Sequence, residues 1–409
     1  MAKIVPFSAI RPTRDKVSLL ASRSYLSYSK EVLNEKLKNN PYTFLHIINP
    51  DYSLGKEVKN QNEKFELIKK RFDSFTKDGI LKQDTHDCFY IYQKINDNKD
   101  SFIGIIGAAS VQDYINGNIK IHEQTLEKRE KLFKDYLQTT GFNAEPVLLT
   151  YPNHNSIDRL ISRYTKGRAE YEFTTTNKSE HKLWLIEDKK DLQLIKDSFS
   201  EIENLYIADG HHRFASSSLL HKDNENVKSS KTNYCMSYLI AEDQLKIINF
   251  NRLITSLNGL TDDEFLEGVK LKYELKEVEI AFHPTQKDEI ALYMSHKWYS
   301  LTAFEQYVDR MDCVNKLDPA ILSDNILSPI LNIADPRNDK RLSFIDGTNC
   351  LDTIQSKVDS GKYKAAFILK PINIEQLKEV ANEGKSMPPK STYIQPKLRS
   401  GMLIYDLKD

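Results

Sequence analysis

Residues 204–220 read NLYIADGHHRFASSSLL, an apolar strand-like run that meets Asp209-Gly210 and then two histidines and Arg213. A strand, an acidic turn residue, a glycine and a new helix form an arrangement that turns backbone N–H groups toward an anion. Asp209 is expected to cap the helix by accepting from its first amides. Gly210 lets the chain bend and a ligand come close. His211, His212 and Arg213 then fall in the first helical turn, where the macrodipole disfavours cations. Three potential cations at a positive helix end call for a negative partner, and a phosphate-bearing ligand is the simplest one. Asp-Gly is also an ordinary turn, and a histidine pair can serve as nothing more than a polar cap.

Two further stretches could do related chemistry. Residues 119–135 (IKIHEQTLEKREKLFKD) place His122, Glu123, Thr125, Lys128 and Arg129 within eight positions at an expected helix start. On a helix His122, Thr125 and Arg129 share one face, with Glu123 beside them. Glu123 there suits a general base or a magnesium ligand, and Asp209 is the second carboxylate for such an ion. The flanking Glu127, Lys128, Glu130 and Lys131 read as a solvated face. Residues 386–401 (SMPPKSTYIQPKLRSG) offer Lys390, Ser391, Thr392, Lys397 and Arg399 after a rigid Pro388-Pro389. Two hydroxyls and three cations suit an anion without Walker spacing; a basic edge strand has the same composition.

The composition limits the classes of function. Lys+Arg and Asp+Glu both count 58 in 409 residues, so the formal net charge is zero. Nucleic-acid coats and polybasic membrane proteins need a strong positive field, which this balance lacks. The four cysteines, Cys88, Cys235, Cys313 and Cys350, are scattered and form no CxxC pair, so neither a zinc ribbon nor a disulfide framework is indicated. The opening residues lack an apolar signal core, and the longest apolar run, 102–111, is too short to span a bilayer. A cytoplasmic setting is expected.

The elements that must position these residues alternate between types. Helices are expected over 30–38, 57–80, 192–202, 261–270, 353–358 and 374–383, with a broken helical segment over 314–332. Strands are expected over 3–5, 42–49, 88–94, 102–111, 143–151, 181–187, 233–240, 245–250 and 273–280. A hairpin follows over 291–296 and 298–303, then strands over 343–345 and 364–369 and a strand at 392–396. His46 inside 42–49 reads as a satisfied core histidine. Gly104 and Gly107 stand in an apolar run without a GxGxxG context, so no dinucleotide site is expected there. A change of character near 255 divides the chain into 1–254, carrying HEQT and DGHHR, and 255–409, ending in MPPKST. The expected fold is α+β with mixed sheets.

HEQTxxKR, YIADGHHR and MPPKSTxxxPKxxSG together resemble the motifs of the bacterial and archaeal family of proteins with domain of unknown function 1015. Arg11-Pro12, residues 40–47, Leu149-Thr150-Tyr151 and His181-x-Leu183-Trp184 match it as well. Two positions depart from it: the family's early Pro-Tyr-Asp is Ser24-Tyr25-Leu26 here, and a histidine before an arginine is Asn251 before Arg252. The DGHHR segment is in turn similar to the nucleotide-binding motif of the ParB/sulfiredoxin-like superfamily, which includes free-serine kinases. The resemblance implies a ParB/sulfiredoxin-like nucleotide-binding core with a second α/β lobe. It also implies a nucleotide-dependent phosphotransferase or phosphohydrolase acting on a small metabolite, with L-serine or O-phosphoserine as the first choice.

In that reading His122, Glu123, Asp209 and His211 are catalytic. Gly210, His212, Arg213, Thr125, Arg129, Lys390, Ser391, Thr392, Lys397 and Arg399 hold nucleotide or phosphate, with ATP or ADP and Mg²⁺ as cofactors. The alternative is a ParB-like nucleotide-binding regulator that binds DNA or protein without metabolic catalysis. Zero net charge and the lack of a basic recognition helix speak against nucleic acid as the partner. A sulfiredoxin-like redox activity ranks last, because no cysteine lies within the three stretches.

Overall fold

A computed structural model describes residues 2–24, 27–224 and 231–408 of the chain. Tyr25 and Leu26, within the departing segment noted above, lie outside the described residues. The chain divides into two compact units, one of residues 1–245 and 396–409 and the other of residues 246–395. This differs from the division expected near 255 in two ways. Residues 246–254 pair into the second unit's sheets, and the last residues return to the first unit after the second has been completed.

The first unit is built on a nine-stranded mixed sheet. Its strands are β1 (Ile4–Val5), β2 (Phe89–Ile95), β3 (Ser101–Ser110), β4 (Ile119–Lys120), β5 (Val147–Tyr151), β6 (Tyr171–Thr174), β7 (Glu180–Ile186), β8 (Leu205–Asp209) and β9 (Tyr234–Ala241). The spatial order is β4-β8-β5-β9-β3-β2-β7-β6, with β1 paired to β3. The pairs β4/β8 and β5/β9 are parallel and the other neighbours antiparallel. Central strands such as β5 are buried at every position, which explains their unbroken apolar sequence. One core joins Ile91, Ile105, Leu149, Ile207 and Leu239 of the sheet with Ile157 and Leu160 of helix α3 (Asn155–Tyr164) and Ile195 and Phe199 of α4 (Lys189–Glu201). A second core packs Phe65, Ile68, Phe72 and Phe75 of α1 (Gln61–Lys77) against Phe44, Ile47 and Phe142.

The glycines of β3 have a packing role. A Cβ on Gly104 would lie 2.2 Å from the Leu239 carbonyl oxygen of the adjoining β9, and one on Gly107 would lie 2.7 Å from the Phe89 ring. Backbone cannot yield as a side-chain tip can, so Gly104→Ala is expected to destabilise the first unit by about 3 kcal/mol or more. Urea unfolding would measure this, and a midpoint within error of wild type would contradict the packing seen at β3.

The segment 42–49 is not the expected buried strand. It contains a short helix, Leu45–Ile48, opened by turn contacts around Asn40 and Thr43 and stopped before Pro50. Local side chain–backbone bonds outcompete the strand preference of its Phe and Ile residues here. His46 is buried, with its Nε2 on the Asn40 carbonyl.

The second unit has a six-stranded antiparallel sheet of β10 (Phe250–Ile254), β11 (Tyr273–Val278), β12 (Glu289–Met294), β13 (Lys297–Ala303), β14 (Leu342–Asp346) and β15 (Ala365–Leu369). The order is β11-β13-β12-β15-β10-β14. Both faces are covered, one by Phe265, Val269, Leu322 and Leu327 and the other by Ile354 and Val358. Tyr393–Gln395 pairs with Lys246–Ile248 in a separate ribbon of the same unit. Both units are thus α+β, and the whole is α+β with mixed sheets. Among the described residues no helix is long and apolar enough to cross a membrane.

Candidate functional site

Strand β8 carries Asp209 at its end, where the register against β5 shifts between Ile207 and Asp209. Such a bulge re-aims the side chain that follows it. Gly210 then adopts φ +100° and leads into α5 (His211–Asp223). A left-handed residue is required at this turn, and the absence of a Cβ also admits Arg213, which folds back over it: a Cβ on Gly210 would meet Nη2 of Arg213 at 2.7 Å. Asp209 is not the helix cap expected from the sequence. Gly210 occupies that position, and no side chain caps the helix. The carboxylate faces two cations, which bind it more strongly than neutral amides do.

Those cations are Arg213 and Lys397. Nη2 of Arg213 donates to Oδ2 of Asp209 at 2.9 Å, and Nζ of Lys397 donates to Oδ1 at 2.7 Å. Burial alone would raise the Asp209 carboxyl, but Lys397 and then Arg213 outweigh it and hold it at about 2. Arg213 also reaches Glu145, whose other oxygen accepts from the Ser400 hydroxyl at 2.5 Å. Arg213 therefore does not stand as an unmatched cation at the helix start.

Beside this group His122 and His211 meet edge to face, with ring centroids 4.6 Å apart. Both are nearly sealed, at 2% and 4% exposure. Burial lowers His122 to about 4, although Asp209 and a hydrogen bond to the Ile207 backbone oppose the shift. Burial and the neighbouring His122 put His211 well below its ordinary value. Both rings are therefore neutral at pH 7, so His211, one of the three potential cations expected at the helix start, carries no charge there. The Nδ1 of His211 lies 3.5 Å from the Glu123 carboxylate. The buried Nδ1 of His122 and Nε2 of His211 have no protein partner. With the ring protons assigned to the nitrogens that face Glu123 and the Ile207 backbone, these two atoms are hydrogen-bond acceptors.

Thr125 and Arg129 do not share a helix face with His122. The helix here, α2 (Glu127–Thr140), begins after Leu126, and residues 121–126 run as an irregular segment from β4. The β4/β8 pairing draws His122 toward β8, and a helix starting at His122 could not follow that strand. Thr125 donates to Glu130, and Arg129 is exposed on α2. His212 is half-buried on the first turn of α5, its carbonyl accepting from Ser216.

The third stretch divides. Lys397, Arg399 and Ser400 belong to the first unit, whereas Lys390, Ser391 and Thr392 belong to the second. In the second unit Lys390 has φ +55° and sits over the Phe250 ring, and Ser391 is buried, donating to the Pro388 carbonyl. Arg399 does not join Asp209. Its guanidinium donates to Nε2 of His181 at 3.2 Å, to the Asn177 side chain at 2.8 Å and to the Ala21 carbonyl at 3.4 Å.

Of the two carboxylates expected to hold magnesium, Asp209 is already engaged by protein cations. Each Asp209 oxygen already accepts from a cation, and among the described residues no group of three or more His, Cys, Asp or Glu side chains could hold a metal.

Buried histidines make stability depend on pH, and burial lowers His46 as well as the three discussed next. His122, His211 and His181 are all held below the unfolded value, His181 at about 3 by burial and then Arg399. Below about pH 6.5 the unfolded chain takes up protons that the native chain refuses, so acid favours unfolding. Each histidine costs about 1.4 kcal/mol per pH unit until its native value is reached. Asp209 adds to the loss only below the ordinary carboxylate range. Melting temperature is expected to fall steeply from pH 6.5 to 4.5, and a flat profile there would rule out neutral burial.

Glu145, Ser400 and Lys94 complete this region without having been singled out in the sequence. Glu145 lies in an Asn-Ala-Glu-Pro connection that carries no motif spacing.

A model of the family described as proteins of unknown function, DUF1015, matches residues 4–320. The chain belongs to that family. The match takes in His122, Glu123 and residues 209–213 of this DUF1015 protein and stops before Lys397. Among solved structures it is similar to a free serine kinase in complex with AMP, at 15% identity over 70% of this chain and 88% of that one, with a TM-score of 0.35. It is also similar to a conserved hypothetical protein from Pyrococcus furiosus, at 14% identity over 71% and 92% of the two chains and TM-score 0.35. SbnI with a C-terminal truncation from Staphylococcus aureus gives 12% identity over 73% and 85%, with TM-score 0.38. No curated protein matches the sequence.

Proposed function

We propose that the first unit is a nucleotide-dependent phosphotransferase or phosphohydrolase site acting on a small metabolite, with L-serine or O-phosphoserine as the first candidate. The observation that carries this reading is the grouping of Arg213 and Lys397 on Asp209, beside the unpartnered nitrogens of His122 and His211. Phosphoryl transfer asks little covalent chemistry of a protein; positioning and charge neutralisation do most of it. Arg213 and Lys397 would share their donors between Asp209 and the phosphate oxygens. The first amides of α5 would hold the neighbouring phosphate.

The lone pairs of His122 and His211 suit the hydroxyl of an acceptor, or a water. As the new oxygen–phosphorus bond forms, the bond to the departing nucleotide breaks and the hydroxyl proton passes to an imidazole nitrogen. Glu123, beside Nδ1 of His211, would stabilise the imidazolium so formed. Phosphate charge raises the proton affinity of both rings, so they become better bases once nucleotide is bound. Any magnesium enters with the nucleotide as part of the substrate. L-serine is named on the likeness of the DGHHR motif to that of the serine kinases, and its setting would be cytoplasmic serine metabolism.

The test is incubation of the purified chain with Mg²⁺, L-serine and ATP or ADP, and in reverse with O-phosphoserine, followed by ³¹P NMR. Phosphoserine with ADP or AMP supports the kinase, and free phosphate supports the hydrolase. A nucleotide-induced rise in melting temperature without turnover would assign a ParB-like binding role. No product and no nucleotide response would end the proposal.

A further inference from the structure

Lys94 on β2 stands opposite His181 on β7 in the strand register, so the two side chains share one face of the sheet. On that face Nζ of Lys94 donates to the Lys397 carbonyl at 3.0 Å, and the Arg399 guanidinium donates to His181. The other partners of Arg399 are an amide and a carbonyl, and the Tyr92 hydroxyl holds the far side of His181 at 2.7 Å. Every partner of these two cations is neutral. Among the described residues no carboxylate pairs with Lys94, with Arg399 or with Arg23, whose guanidinium lies over the Tyr28 ring. Burial and then Arg399 lower Lys94 to about 8, and burial likewise lowers Arg399. Charges withdrawn from water without counter-charge are costly, and a fold retains them where a ligand supplies what is missing.

We propose that Lys94 and Arg399, with Arg23 at the rim, form a second oxyanion subsite for a carboxylate or phosphate group of a small ligand. Arg399 is two residues from Lys397 in the same segment, so the subsite lies beside the Asp209 group and is separate from it. Tyr92, Leu183 and Arg399 line a small cavity here together with Ile106, Leu398 and Met402. Arg399 is the one charged side chain in that lining, and Lys94 and Arg23 stand outside it, so the ligand's anionic group would meet Arg399 at the edge of an otherwise apolar surface. The subsite itself does not depend on phosphoryl transfer.

The test uses the full chain titrated with sodium phosphate and, separately, sodium acetate, at ionic strength held constant with sodium chloride. Melting temperature and calorimetric affinity are the readouts. At least one of the two anions should stabilise wild type, and which one does identifies the group. Lys94→Gln relieves the unmatched charge, so it should melt above wild type without added anion and bind the anion at least tenfold more weakly. Arg213→Ala should keep the anion response while losing that to nucleotide, so failure of this subsite and failure of the nucleotide site are told apart. Wild type that responds to neither anion would overturn the proposal. So would a Lys94→Gln protein that melts below wild type and binds the anion equally well.

Discussion

Replacing Arg213 with alanine should abolish any stabilisation that ATP or ADP gives this protein through the proposed site. The guanidinium is one of two cations on Asp209, is only 20% exposed, and reaches Glu145 with its other arm. A bound phosphate would lose up to two charge-assisted hydrogen bonds, each worth about 1.5–3 kcal/mol. Affinity should therefore fall by a factor of about 100 or more, since each 1.4 kcal/mol is tenfold. The fold should persist, because Asp209 keeps Lys397 and Glu145 keeps Ser400. Arg163→Ala, on an exposed ion pair with Asp191, serves as the comparison and should respond to nucleotide as wild type does. Calorimetry with each nucleotide decides the matter. An Arg213→Ala protein that binds like wild type would remove the central motif from the site.

Gly210→Ala should give the second large effect, and by two routes. At φ +100° a side chain strains the backbone by about 1–3 kcal/mol. The new methyl would also press on Arg213 at 2.7 Å from Nη2 and move it off Asp209. Ligand affinity should then fall as far as it does in Arg213→Ala. Gly117→Ala separates the two routes, because Gly117 has φ +77° with nothing within 4 Å of a Cβ. That variant should lose stability and keep nucleotide binding. Equal nucleotide responses from Gly210→Ala and Gly117→Ala would mean that the placement of Arg213 is irrelevant to the ligand.

Much of the fold was legible where its elements are long, apolar or capped and bounded by turn residues. The run that becomes β3, the strand–glycine–helix at 205–223 and the capped helix Asp262–Lys270 all carry their local signals on their face. The segment 42–49 was misread because its apolar residues fit a strand as well as one helical turn, and contacts around Asn40 and Thr43 chose between them. His122 was assigned to a helix, because the pairing of β4 with a strand some eighty residues later leaves no local trace. The role of Asp209 was misjudged for a similar reason. Its ammonium partner comes from Lys397, and spacing along the chain holds no record of such distant partners. Glu145 and Lys94 were invisible on the same grounds. Charge balance between residues far apart is a property of the folded unit.

The first unit is completed by residues 396–409, which follow the whole of residues 246–395. During synthesis Asp209, Arg213 and both imidazoles leave the ribosome well before Lys397 does. For that interval the carboxylate has one cation where it later has two, and the Glu145 side chain lacks the Ser400 hydroxyl. The proposed reaction centre is thus withheld from the nascent chain until translation has passed the inserted unit.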